Sequence, residues 1–172
     1  MRSMAIFSPC PNLRRIAAIL VVVSLAMPAV VGAQDTPVSR ATLKGIKAVE
    51  VLVGDIDRDT EQEGLTRAHL QTEVEERLRQ AGITVSPSSE GVLYVSVVAA
   101  RGDLNIYAYS LQVAFRQAVT LTRDPTIGAV VTTWSVGSGG TIAAPRLGRV
   151  QSLAINLVDQ FIHAYLEENP KI

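Results

Sequence analysis

Tyr107–Thr122, YAYSLQVAFRQAVTLT, is the stretch that decides the fold. Its odd positions are Tyr107, Tyr109, Leu111, Val113, Phe115, Gln117, Val119 and Leu121, apolar at every place but Gln117. Its even positions, Ala108, Ser110, Gln112, Ala114, Arg116, Ala118, Thr120 and Thr122, are small or polar. Side chains alternate across a strand, so this pattern describes an antiparallel sheet covered on one face and open on the other. Sixteen residues at ~3.3 Å each would span roughly 53 Å, too long for one straight strand in a small domain. A bulge or sharp bend is therefore expected within it, at Gln117, where the apolar series breaks.

The neighbouring segments supply the rest of the sheet and its cover. Downstream, Asp124-Pro125 reads as a turn, Ala129–Val136 as a strand and Gly137-Ser138-Gly139-Gly140 as a flexible loop. The Gly-Ser-Gly-Gly run lacks the Lys-Ser/Thr of a phosphate loop and the last glycine of a dinucleotide fingerprint. Arg146–Glu168 then reads as a helix, with Val150, Leu153, Ala154, Leu157, Val158, Phe161, Ile162 and Tyr165 on one broad stripe. Pro145 suits its start and Asn169-Pro170 its end. Upstream, Gly91–Ala100 is a buried strand, Arg101-Gly102-Asp103 a hairpin turn, and Ile83–Val85 a short strand. A helix over Thr66–Ala81 carries Leu70, Val74, Leu78 and Ala81 on one side, with Thr66 as N-cap and Gly82 as terminator. Asp55–Gly64 is an acidic loop, and Ile46–Val53 a strand. The order β-α-β-β-β-β-α gives an α+β fold. It is a two-layer sandwich of a largely antiparallel sheet, four to five strands wide, with both helices on one face. One domain is expected over residues 46–169, preceded by a flexible leader over 34–45.

Residues 1–33 read as a secretory signal peptide. Arg2, Arg14 and Arg15 precede the apolar run Ile16–Val31, which ends in the small-residue exit Val31-Gly32-Ala33. The run is shorter than the roughly 20 residues a membrane span needs. Removal of 33 of the 172 residues leaves 139. All 16 acids stay while three of the 16 basic residues leave, so the mature chain is mildly acidic and carries no footprint for nucleic acid or anionic lipid. Cys10, the one cysteine, precedes the apolar run instead of ending it, so it is not placed as a lipoprotein cysteine and leaves with the leader. A periplasmic or secreted location follows, with no stable membrane span after cleavage.

Candidate chemistry is sparse. Asp55, Asp57 and Asp59 alternate like the opening of a calcium loop, but Thr60 stands where the glycine belongs and Thr66 where the bidentate acid belongs. The bland alternative is a solvated acidic loop before a helix N-terminus. Asp159, His163 and Glu167 form an i,i+4 series on the last helix, read as a surface ladder; His69 reads likewise. Arg146 and Arg149 open that helix, and Glu167 and Glu168 close it, against its macrodipole. The two arginines are candidates for an anionic partner or for acids elsewhere in the fold. The open sheet face should present Gln112 and Arg116, and Trp134 belongs either there or under the helices.

The segments Gly64-Leu65-Thr66, Val74–Ile83, Thr132-Thr133-Trp134, Val158–Ile162 and Asn169-Pro170-Lys171 resemble an exported bacterial family without assigned activity. The element order is also similar, at the level of fold, to periplasmic modules of envelope assembly machinery. Examples are the N-terminal domain of the Tol translocation protein and the lipopolysaccharide-assembly lipoproteins. The expectation is a non-enzymatic module without catalytic residues or cofactor, whose partner is another envelope protein. The alternatives are a carrier for a small apolar or amphiphilic ligand and a metal-assisted hydrolase using the three aspartates with a histidine.

Overall fold

In the computed structural model, which describes residues 35–87 and 89–170, the alternating stretch becomes one 16-residue strand, β4 (Ile106–Leu121). The signal-peptide reading of residues 1–33 lies outside the described residues. The element order is α1 (Pro37–Ala41), β1 (Ala48–Val53), α2 (Arg58–Gln62), α3 (Arg67–Gln80), β2 (Thr84–Val85), β3 (Gly91–Arg101), β4, β5 (Asp124–Ala143) and α4 (Arg149–Glu168). The five strands form one sheet in the order β2-β1-β3-β4-β5.

The expected irregularity exists, but on the neighbouring strand. Phe115 pairs with Trp134 while Arg116 pairs with Thr132, so Thr133 is an extra residue in β5. Thr133 accepts a 2.8 Å hydrogen bond from the Gln117 side chain, which also donates to the Thr42 carbonyl at 3.2 Å. The polar residue in the apolar series thus marks the bulge from across the ladder. Beyond Gln117, β3 ends and β4 and β5 continue as a two-stranded arm.

The sheet is mixed, which corrects the largely antiparallel expectation. β1 lies between β2 and β3 and runs parallel to both. Parallel neighbours require a crossover, and α3 supplies one between β1 and β2. β2 has only two residues, so the outer edge of β1 outruns it. Gln71 on α3 takes over there: its amide donates to the Val51 carbonyl at 2.9 Å and accepts from the Val53 N–H at 3.2 Å. A side-chain amide stands in for the missing strand, because buried backbone groups need partners.

Four other readings are corrected. Gly137–Gly140 is part of β5 and not a flexible loop, paired with residues 109–112 of β4. A Cβ at position 137 would sit 3.0 Å from the Leu111 carbonyl oxygen, so glycine answers a close backbone approach. The β4–β5 reversal falls at Thr122-Arg123, not at Asp124-Pro125. The β3–β4 reversal falls at Leu104-Asn105, two residues with left-handed φ of 57° and 58°. Residues 34–45, expected as a flexible leader, carry α1, whose N-cap Thr36 and N3 residue Ser39 bond reciprocally. Leu43 is wholly buried, and the Asn169 side chain accepts from Gly45 N–H at 2.7 Å and donates to the Leu43 carbonyl at 2.9 Å. Five helical residues are too few for a periodicity to be read.

The capping signals of the long upstream helix hold. Thr66 accepts from the His69 N–H at 3.3 Å, and Gly82 ends α3 at φ 79°. Leu70, Val74 and Leu78 of α3 and Val150, Leu157, Val158 and Phe161 of α4 are buried with the inward strand residues Val51, Val53, Leu93, Val95, Val113 and Phe115.

Candidate functional site

The pairing register sorts the strand residues into two faces. The covered face holds Val51, Leu93, Val97, Leu111, Phe115 and Val136. On the other face lie Leu52, Tyr94 and Ser135 around Ala114, Ser96 beside Gln112 and Gly137, and Val98 beside Ser110 and Gly139. Leu52 is 41% exposed and Val98 58% exposed. The guanidinium of Arg116 lies 4.0 Å from the centre of the Tyr94 ring, a contact worth ~0.5–1 kcal/mol at an exposed site. Tyr94 can lie flat there because position 54 is glycine: a Cβ would sit 2.6 Å from its hydroxyl. Arg116 and Gln112 are therefore where the alternation placed them, on an open and sparsely charged surface.

Trp134 lies on the covered face and is a core residue. Its ring meets Phe161 edge-on at 5.3 Å, and its Nε1–H donates to Asp35 at 3.0 Å. Asp35 also accepts from Arg40 at 2.7 and 2.6 Å, and Arg40 turns its remaining nitrogen to Glu167. This chain joins residues 35–45 to β5 and to the end of α4. It supplies the cation that Glu167, set against the α4 dipole, requires. The paired Arg40 guanidinium holds the Asp35 carboxyl below its ordinary value of 3.8, aided by the Trp134 N–H and opposed by burial. A depressed carboxyl stabilises the fold in full above the ordinary value, and that contribution fades as pH falls through the lower folded value. Asp35→Asn should therefore lower stability at neutral pH and flatten its acid limb below pH ~4. Urea melts at a series of pH values would check this; an acid limb as steep as wild type would contradict it.

Arg146 and Arg149 are exposed, and among the described residues neither forms an ion pair. They stand at the start of α4, apart from Arg116 and Gln112 on the open sheet face. The three aspartates are not gathered. Asp55 pairs with Arg67 at 2.9 Å, Asp57 caps α2 by accepting from Asp59 N–H at 2.9 Å, and Asp59 lies in the first turn. Asp57 and Asp59 border an open groove of about 300 Å³ with Thr60, Arg101 and Tyr107. Among the described residues no three His, Cys, Asp or Glu side chains come together to hold a metal. The Asp159–His163–Glu167 ladder is broken at its first rung. Asp159 makes a two-pronged contact to Arg77 of α3, at 2.7 and 3.0 Å, and His163 pairs with Glu167, at 3.4 Å. The position of Arg77 four residues after Glu73 gave no hint of this partner.

No family model and no curated protein matches the chain. Among the described residues, no helix is long and apolar enough to cross a membrane. Among solved structures, a single-substitution variant of PelC from Paraburkholderia phytofirmans, a dodecamer, aligns at 15% identity and a TM-score of 0.39, over 70% of this chain and 86% of that one. A minor lipoprotein from Acinetobacter baumannii aligns at 12% identity and a TM-score of 0.28, over 72% of this chain and 94% of that one.

Proposed function

We propose that this is an exported, non-enzymatic accessory module of the bacterial envelope, which binds another envelope protein through the sheet face turned away from its helices. The observation that carries the reading is the character of that face. Leu52, Val98 and Ile106 are exposed on it, small residues surround them, and its planar cation, Arg116, is held over Tyr94. Apolar and aromatic groups with an arginine, few other charges and low relief are the composition of an interface core. The segment before residue 34, read as a leader, supports the location.

The test is crosslinking of the exported protein in intact envelopes, comparing wild type with a Val98→Asp, Arg116→Glu double variant. Recovery of one defined envelope protein with wild type, and its loss with the folded variant, is the expected result. Equal recovery with both proteins, or none with either, would refute the reading.

A further inference from the structure

We propose that β5 is a docking edge for a second copy of this same chain, with the two β5 strands pairing antiparallel about a two-fold axis. This surface is the rim of the sheet, not its open face, so the inference stands apart from the function proposed above.

The two ends of the sheet are treated differently. At the β1 end, Gln71 hydrogen-bonds the Val51 carbonyl and the Val53 N–H beyond the short β2. At the other end, β5 is the outermost strand and is 20 residues long. Edge strands normally carry protection: short length, lysines, inward charges, proline, a bulge or a covering element. From Pro125 to Pro145 there is no Asp, Glu, Lys or Arg. Proline appears only at the strand's second residue, and the bulge at Thr133 comes before the strand's second half. Residues 134–143 then run in unbroken register along 106–115 of β4, leaving their outer backbone groups facing outward over roughly 33 Å.

The chemistry selects the occupant. The run Pro125–Ala143, which is without charge, has nothing to complement on a charged foreign strand. Against itself, antiparallel, it brings no like charges together. Such pairing is isologous, each copy offering the same surface, which is the commonest symmetry among soluble oligomers. An axis within residues 134–143 lets that stretch of one copy pair along the same stretch of the other, a contact built on main-chain hydrogen bonds. The axis stands perpendicular to the sheet, so both sets of helices stay on one side and the two open faces join into one.

The experiment is sedimentation velocity of the purified exported protein over a range of concentrations reaching the high micromolar, with Ser138→Lys, Thr141→Lys and their combination. Both residues are exposed, so the fold should persist, with circular dichroism as the control. Wild type should sediment as a dimer, and the double variant should associate at least about tenfold more weakly. One of Ser138→Cys and Thr141→Cys, whichever lies nearer the two-fold axis, should give disulfide-linked dimers in a mature chain with no other cysteine, while Leu52→Cys at the opposite side of the sheet should not. A wild type that stays monomeric throughout would overturn the proposal. So would a dimer that ignores the lysines but dissociates with Gln112→Lys, since that would place the contact on the open face. Loss of the envelope partner in the crosslinking test would leave this result untouched.

Discussion

A chain stopped at Arg146 is expected to be insoluble or unfolded. The reason lies in what α4 covers. Val150, Leu157, Val158 and Phe161 are each buried against the sheet, and at ~1.5–3 kcal/mol per side chain they contribute roughly 6–12 kcal/mol. Whole domains of this kind are stable by only ~5–15 kcal/mol. The deletion also removes Tyr165, whose hydroxyl donates to the Ile46 carbonyl, Glu167, which meets Arg40, and Asn169, which holds residues 43 and 45. The inner surface of β4 and β5 would be left bare, and residues 43–46 would lose their hold on α4. Soluble yield and far-ultraviolet circular dichroism measure this directly. A soluble truncation with a native spectrum would show that the sheet does not depend on its cover.

Phe161→Ala should be the most damaging single truncation in α4. Its ring is fully buried and lies 5.6 Å from Phe115, 5.3 Å from Trp134 and 6.1 Å from Tyr165. Removing it leaves a cavity between rigid neighbours on a strand pair and a helix, where collapse is difficult, so a cost of about 3–5 kcal/mol is expected. Trp134 is the only tryptophan and touches the deleted ring, so its fluorescence reports on the site itself. Urea unfolding followed by that emission should show a large fall in midpoint with the slope unchanged. A cost below about 1 kcal/mol would mean that the cluster is not packed as described.

Much of the fold was legible wherever a pattern repeats within one element. The alternation over Tyr107–Leu121 gave β4 and its inward face, and Thr66 and Gly82 marked the ends of α3. What escaped was set by partners distant in sequence. Parallel pairing of β1 is a property of three strands together, and no residue in Ala48–Val53 encodes it. Gly137–Gly140 carries the composition of a loop, yet its glycines serve a close approach to β4. Residues 35–45 are anchored by Asn169, Glu167 and Trp134, all distant along the chain. The same division holds for the site. Arg116 and Gln112 follow from period two, whereas Trp134 was ambiguous because the bulge at Thr133 resets the alternation just before it. Arg146 and Arg149 were conspicuous for opposing a dipole, but among the described residues neither pairs with an acid; the compensation falls instead on Glu167 at the far end of the helix, which Arg40 meets.

The amide of Gln71 has a consequence for how far assembly can go. A slab that accepts a neighbour at both rims grows without limit into a ribbon or fibril. Sealing one rim with the molecule's own side chain turns growth by strand addition into a closed event that ends when two copies have met. In an assembly joined through β5, one glutamine would thus convert a potential polymer into an object of fixed size.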